Sequence, residues 1–427
     1  MFQKYLNSWS LLPVICFIFF ITPVVIVISS LFGDYSDNWS HLYNYVLGSY
    51  IKNSIYLVAG VLILVSIIGV STAWLVTNYD FFCKNILEWA LILPLAVPPY
   101  ILAYTFTGLF DTYGTANNLV RDIFNLSNEF TLFPKVRNVP GAIIVFSFTL
   151  YPYVYLVSRM AFINQSRSIL ESGRTLGLNR LEVFYRLAVP MIRPAIIAGL
   201  MLVAMETLSD FGAVDHFAIS TFTTGIFRTW YGMYDIHTAK QLASLLLIIA
   251  IMFIIAEKYS RKNADYSFAG SVFRQFDPLK LKGYKNFLAF LFCFFPIFIG
   301  FILPILELSY WAFNYKLDFF NERFITTAWN SFYLAIISAF LCTCLAIIIN
   351  FSVRYKSNEV LKFLSSFLTV GYAVPGIILA IGVMQLLTFI DASFVGKYFK
   401  FLLTGSLIGL ILAYVIKSYA LASSTIE

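Results

Sequence analysis

The feature that most constrains this chain is a succession of uncharged apolar runs, each about as long as a bilayer is thick. A hydrocarbon core about 30 Å thick takes about 20 mostly apolar residues per helix. Ten runs meet that length: Leu11 to Phe32, Ser54 to Thr77, Ile86 to Phe110, Gly141 to Phe162, Met191 to Val214, Gln241 to Tyr259, Phe287 to Ala312, Ser331 to Val353, Leu361 to Ile390 and Leu402 to Ser424. In lipid the backbone must satisfy its own hydrogen bonds, so such runs become helices, and the period-two alternation of barrel strands is not the pattern here. An all-α, multi-span membrane protein is therefore expected. Composition agrees, with 60% hydrophobic and only 12% charged residues, against an apolar share of about 45–50% in soluble domains. The ninth run is long enough to be bent. The first follows Lys4 but has no small-residue cleavage site and carries Pro23, so it reads as a retained span rather than a signal peptide.

Charge between the runs gives orientation. With the N-terminus inside, eighteen of the 29 Lys and Arg fall in inner segments and ten in outer ones, Lys417 lying near the inner end of the last run. The positive-inside bias thus predicts a cytoplasmic N-terminus. The formal charge of +7 then reflects membrane orientation, with the lipid bilayer as partner and no nucleic acid.

Two pairs of segments repeat at one spacing. "NSIYLVAGVLILV" begins at Asn53 and "NSFYLAIISAFLC" at Asn330; "AVPPYILAY" begins at Ala96 and "AVPGIILAI" at Ala373. The chain therefore reads as a first unit, residues 1–256, a basic Gly- and Pro-containing linker, 257–286, and a second unit, 287–427. Six runs separate the starts of the units, so the repeats are parallel. The first unit continues into a polar, Arg-rich stretch whose equivalent in the second would begin just beyond Glu427. The second unit accordingly reads as incomplete at its C-terminus, with about twelve spans expected in the complete protein.

The cysteines form no pattern. Cys16, Cys293, Cys342 and Cys344 lie in runs and Cys83 in an inner loop, and the histidines are His41, His216 and His237. Neither a disulfide framework nor a metal cluster is implied, and no cofactor is expected.

The polar stretch "ESGRTLGLNRLEVFYRLAVP", Glu171 to Pro190, interrupts the apolar pattern on the inner side. It reads as two short helices separated at Gly177-Leu178-Asn179, where glycine and asparagine accept a turn conformation, and stopped before Pro190, which opens the next span. Arg174, Arg180 and Arg186 keep it out of the bilayer, while Leu176, Leu181, Phe184 and Leu187 offer an apolar face to a partner.

Its spacing, Glu171-Ser172-Gly173, three residues, Gly177, nine residues, then Leu187-Ala188-Val189-Pro190, resembles the EAA loop of ABC-importer permeases, Glu-Ala-Ala-x3-Gly-x9-Ile-x-Leu-Pro. Ser172 and Gly173 stand for the alanines, and Leu187 and Val189 for Ile and Leu, which weakens the first short helix. The resemblance implies that residues 163–190 form a coupling loop docking into a cytoplasmic ATPase subunit, acting as a dimer, and that a periplasmic binding protein delivers substrate. It extends over essentially the whole chain as two fused permease units in a bacterial inner membrane. "STFTTGIFRTWYGMYD", Ser220 to Asp235, and the two Ala-Val-Pro segments resemble iron(III) importers most; thiamine permeases share the fused organisation, and polyamine, sulfate and phosphonate permeases share the unit.

Pathway candidates follow from elements inside the runs. Pro98 and Pro375 remove a backbone hydrogen bond at equivalent positions and should bend their spans toward the pathway. Glu206 and Asp210, four apart toward the outer end of the fifth run, read equally as a cation-facing pair or a wetted helix end. Glu307 reads as a wetted end, and Arg159 and Lys417 as snorkelling side chains. No Gly-x4-Gly-Lys-Ser/Thr phosphate loop occurs, so energy must come from a separate ATPase and no catalytic residues are assigned. The alternative class, an ion-coupled secondary transporter, would need paired acidic residues at mid-membrane, and the deep parts of the runs are almost free of them; a membrane enzyme would need a facing constellation of catalytic groups, and none is visible.

Overall fold

The computed structural model of the protein describes residues 8–127, 130–165, 167–262, 278–315, 321–355, 359–393, 398 and 402–426. Lys4, Glu427 and linker residues 263–277 lie outside the described residues. Among the described residues the protein is an all-α membrane protein, apart from one short parallel pair, Tyr79–Asp80 with Leu279–Lys280. This pair brings the far end of the linker back to the turn after the second span, where Leu281 N–H also donates to Asp80 O (2.9 Å) and Phe82 N–H to Asn286 Oδ1 (2.7 Å).

Among the described residues, seven of the ten runs are helices long and apolar enough to cross a membrane: Leu11–Phe32, Asn38–Asn78, Val139–Ile163, Ile236–Phe253, Tyr284–Asn314, Glu322–Tyr355 and Leu407–Ile426. The other three are broken helices, the third and ninth at Pro98 and Pro375, where bends were expected. The third run bends by 90° between Lys84–Ala96 and Pro99–Phe124, and the fifth by 71° between Arg180–Met191 and Arg193–Ser209. The ninth breaks into Glu359–Leu368, a 3-10 turn at Thr369–Ala373 and the shorter helix Gly376–Ala392. Proline explains two of the breaks. It offers no N–H and forces the preceding residue out of helical geometry, so Val97 (φ −102°, ψ 109°) and Val374 (φ −77°, ψ 126°) are both extended.

By packing, the chain divides into two units that do not follow the sequence halves: residues 47–224 with 252–316, and residues 8–46 and 225–251 with 317–426. In the larger unit the Val139–Ile163 helix is central. Val154, fully buried, lies between two glycines: a Cβ at Gly69 would sit 2.9 Å from Val154 Cβ and 3.0 Å from Tyr155 N, and one at Gly199 would sit 3.1 Å from Val154 Cα. Small residues let helix backbones approach where lipid offers no hydrophobic drive. The Tyr284–Asn314 span joins this unit, its Gly300 lying against Phe148 O and Pro94. In the other unit the Ser8–Ser29 helix lies against Gly376–Ala392, where Gly382 admits Pro23 O, and Asn350 Nδ2 ties the Glu322–Tyr355 helix to Ser423 O (3.2 Å). Thus the first apolar helix of each half of the sequence, Ser8–Ser29 and Tyr284–Asn314, packs in the unit built mostly from the other half.

Candidate functional site

The stretch around Gly177 folds as a helix, a turn and a second helical segment. Arg167–Thr175 is helical, and Gly177 has φ +89°, a left-handed conformation that glycine adopts without penalty. Leu178 N–H donates to Gly173 O (3.1 Å) and Gly177 N–H to Arg174 O (3.0 Å), which together satisfy the last carbonyls of the helix in a Schellman arrangement. The next helix starts at once. Asn179 accepts from Glu182 N–H (2.9 Å) while Glu182 Oε2 accepts from Asn179 N–H (2.9 Å), a reciprocal capping box. That pattern, Asn-Arg-Leu-Glu, was legible in the sequence but was not among the signals read there.

Two of the loop's motif residues meet. Gly173, on the first helix, lies directly against the tip of the Leu187 side chain on the second segment. Glu171 and Ser172 are exposed on the same helix. The sequence reading expected the helix to stop before Pro190, but helical backbone continues through it. The wider π-helical turn Val183–Ala188 leads into Val189–Met191, and the chain bends only at Ile192 (φ −94°, ψ 8°). A proline leaves one upstream carbonyl without its N–H partner, and a widened turn just before it accommodates the loss.

The apolar face also differs from expectation. Phe184 is buried with its ring 5.2 Å from Trp74, which also meets Phe162 at 5.1 Å, and Leu187 is half-buried. Gln165 Nε2 donates to Ala188 O (3.2 Å), closing the loop at its base. What points outward is Leu176 (83% exposed), Leu181 (70%) and Tyr185 (67%), with Arg174, Arg180 and Arg186 exposed among them. Tyr185 was missed because helical spacing alone cannot tell which neighbour of Phe184 faces the core.

The remaining candidates are dispersed. Pro98 (φ −56°, ψ 143°) and Pro375 (φ −53°, ψ 137°) have matching backbones, each capping the helix that follows a 3-10 turn. Asp210 lies beyond the helix end at Ser209, and its Oδ1 accepts from Ala213 N–H (2.8 Å), so this carboxylate caps the next short helix. Asp210 N–H donates to Glu206 O (3.1 Å). Glu307 is not a wetted end: it is 5% exposed and accepts from Thr115 Oγ1 (2.6 Å). Arg159 does not snorkel freely either, but pairs with Glu88, whose carbonyl also accepts from Tyr155 OH (2.8 Å). Lys417 donates to Tyr372 O (2.8 Å) and Val374 O (3.0 Å). Outside the spans, burial pushes the Asp235 carboxyl up, but donors from Thr238 N–H and the Asn38, Thr238 and Ser36 side chains outweigh it and hold it well below the usual carboxylate range.

Comparison with known proteins supports the resemblance. Residues 65–256 match the binding-protein-dependent transport system inner membrane component family. Over 342 residues the chain is 27% identical to the Fe(3+)-transport system permease protein FbpB 2 of Haemophilus influenzae, covering 78% of this chain and 62% of that protein. It is 24% identical over 412 residues to the ferric transport system permease protein FbpB of Actinobacillus pleuropneumoniae, covering 90% and 58%. The molybdenum transport system permease protein ModB of Haemophilus influenzae matches over 187 residues at 25% identity, 43% of this chain and 79% of that protein. The chain thus spans about three fifths of the length of these two ferric relatives.

Proposed function

We propose, from the premise that residues 65–256 belong to the family of binding-protein-dependent transport system inner membrane components, that this chain is the transmembrane permease of an ATP-driven importer. One observation carries the reading: the Schellman turn at Gly177 and the capping box at Asn179 present Leu176, Leu181 and Tyr185 to solvent amid arginines, on a loop whose inner side is clamped by Trp74 and Gln165. A rigid, outward apolar knob at the end of two spans suits a partner that moves them. In this reading the partner is a pair of cytoplasmic ATPase subunits, the loop 163–190 transmits their closure, and the Ala-Val-Pro bends at Pro98 and Pro375 line the pathway. The N-terminus is cytoplasmic, a periplasmic binding protein delivers the substrate, and the chain performs no hydrolysis itself.

Iron(III) is the proposed substrate. The ferric permeases match 78–90% of the chain, whereas the molybdenum and sulfate permeases match 43–44%, about the extent of one unit. The test is to isolate the complex from membranes, identify the ATPase and binding protein that copurify, and measure uptake of radioactive ferric iron and of molybdate in reconstituted vesicles. Copurification with ATP-dependent iron uptake supports the proposal. Uptake without an ATPase would overturn the importer reading, and uptake of molybdate alone would overturn the iron reading.

A further inference from the structure

Lys417 is the eleventh residue of the apolar Leu407–Ile426 helix, about 15 Å from its start at about 1.5 Å per residue. Within a membrane span an ammonium needs compensating partners. It has them in the break of the ninth run. Tyr372 O has a proline, Pro375, where a 3-10 turn would supply the next N–H, and Ile378 N–H goes to Pro375 O rather than Val374 O. Both carbonyls accept from Lys417 Nζ, and the ammonium also lies 5.4 Å from the centre of the Tyr372 ring. A positive charge at the carbonyl end of a helical segment is favourable in itself. The approach depends on Gly371, where a Cβ would collide with Ile416 O, next to Lys417 in the chain.

The first repeat lacks this contact. Its bend at Pro98 has nearly the same backbone, yet the corresponding helix carries no charged residue from Val139 to Ser158. We infer that Lys417 is a positioning residue that clamps the second Ala-Val-Pro break by donating to the Tyr372 and Val374 carbonyls, a contact for which the corresponding helix of the first repeat has no charged residue from Val139 to Ser158. Within the permease reading, on which this role rests, the clamp makes the pathway wall of the second repeat stiffer than that of the first.

The test is cysteine labelling in native membranes, using the full chain with its five cysteines replaced by alanine. Val374→Cys reports the second break and Val97→Cys the first; both parent side chains are buried, at 3% and 7% exposure. Losing two charge-assisted hydrogen bonds in Lys417→Met should raise the N-ethylmaleimide labelling rate at Val374→Cys about tenfold or more. The rate at Val97→Cys should stay within about twofold, and Lys417→Arg, which keeps the donors, should largely restore protection. Gly371→Ala, which leaves the lysine in place but forces the helices apart, should open the same site and serves if Lys417→Met fails to insert. Unchanged labelling at Val374→Cys, equal increases at both cysteines, or an Arg variant as open as the Met variant would each overturn the clamp. The assay uses no ATPase, nucleotide or substrate, so a negative result would leave the importer reading standing, and failed copurification would leave the clamp standing.

Discussion

Replacing Gly177 tests the loop with little steric ambiguity, because a Cβ added there meets no heavy atom within 4 Å. Any effect must come from the backbone, held at φ +89°. For an L-residue that conformation costs about 1–2 kcal/mol, more for a β-branched side chain and less for asparagine. Valine should therefore open the turn, breaking the bonds from Leu178 N–H to Gly173 O and from Gly177 N–H to Arg174 O and releasing the first helix from Leu187. At about 1.4 kcal/mol per factor of ten, the cost corresponds to amide exchange about 5- to 30-fold faster across residues 176–178 in Gly177→Val, measured by hydrogen exchange in nanodiscs. Gly177→Ala should fall near the lower figure and Gly177→Asn within about threefold of the native protein. In the importer reading, association with the proposed ATPase subunit should weaken in the same order, while membrane insertion stays normal. If Asn and Val exchange alike, or if Val protects the turn as glycine does, the positive-φ account of the loop is wrong.

Two further outcomes follow from packing and charge. Gly69→Ala should destabilise the detergent-solubilised protein by about 1–3 kcal/mol, because the new Cβ faces Val154 Cβ and backbone atoms of Tyr155 and Tyr151 at 2.9–3.1 Å; Gly199→Ala, with its nearest atoms at 3.1–3.5 Å, should cost less, and thermal midpoints in the reverse order would refute the close-packing argument. Asp235, whose folded carboxyl is depressed by its four donors, contributes stability that is present above the unfolded carboxylate pKa of about 3.9 and is lost as pH falls below it. The difference in thermal midpoint between the native protein and Asp235→Asn should accordingly be constant near neutrality and shrink below about pH 4; a difference that grows on acidification would contradict the assignment.

Much of the loop was legible because its signals are local. Gly177 must accept a positive φ, Asn179 and Glu182 cap whatever helix follows, and arginines on both sides exclude lipid; none of this needs a partner element. The apolar face was half misread for the opposite reason: Phe184 turns inward because Trp74, about a hundred residues earlier, occupies the space beside it. Pro190 was misread because a π-helical turn upstream absorbs the missing N–H, and nothing in a short sequence window announces that turn.

The same division holds for the whole chain. Apolar runs of bilayer length, with no water to satisfy a backbone in lipid, made helical spans unavoidable, and the paired "AVP" segments specified twin breaks with matching dihedrals at Pro98 and Pro375. What the sequence by itself left open was which helix packs on which, since one apolar surface is as good as another until backbones touch. Glycines made that choice: Gly300 against Phe148 and Pro94, Gly382 against Pro23, Gly371 against Ile416. These approaches placed the first helix of each half in the opposite packing unit and brought Lys417, which looked like a snorkelling residue at a span's edge, to the Tyr372 and Val374 carbonyls at a helix break.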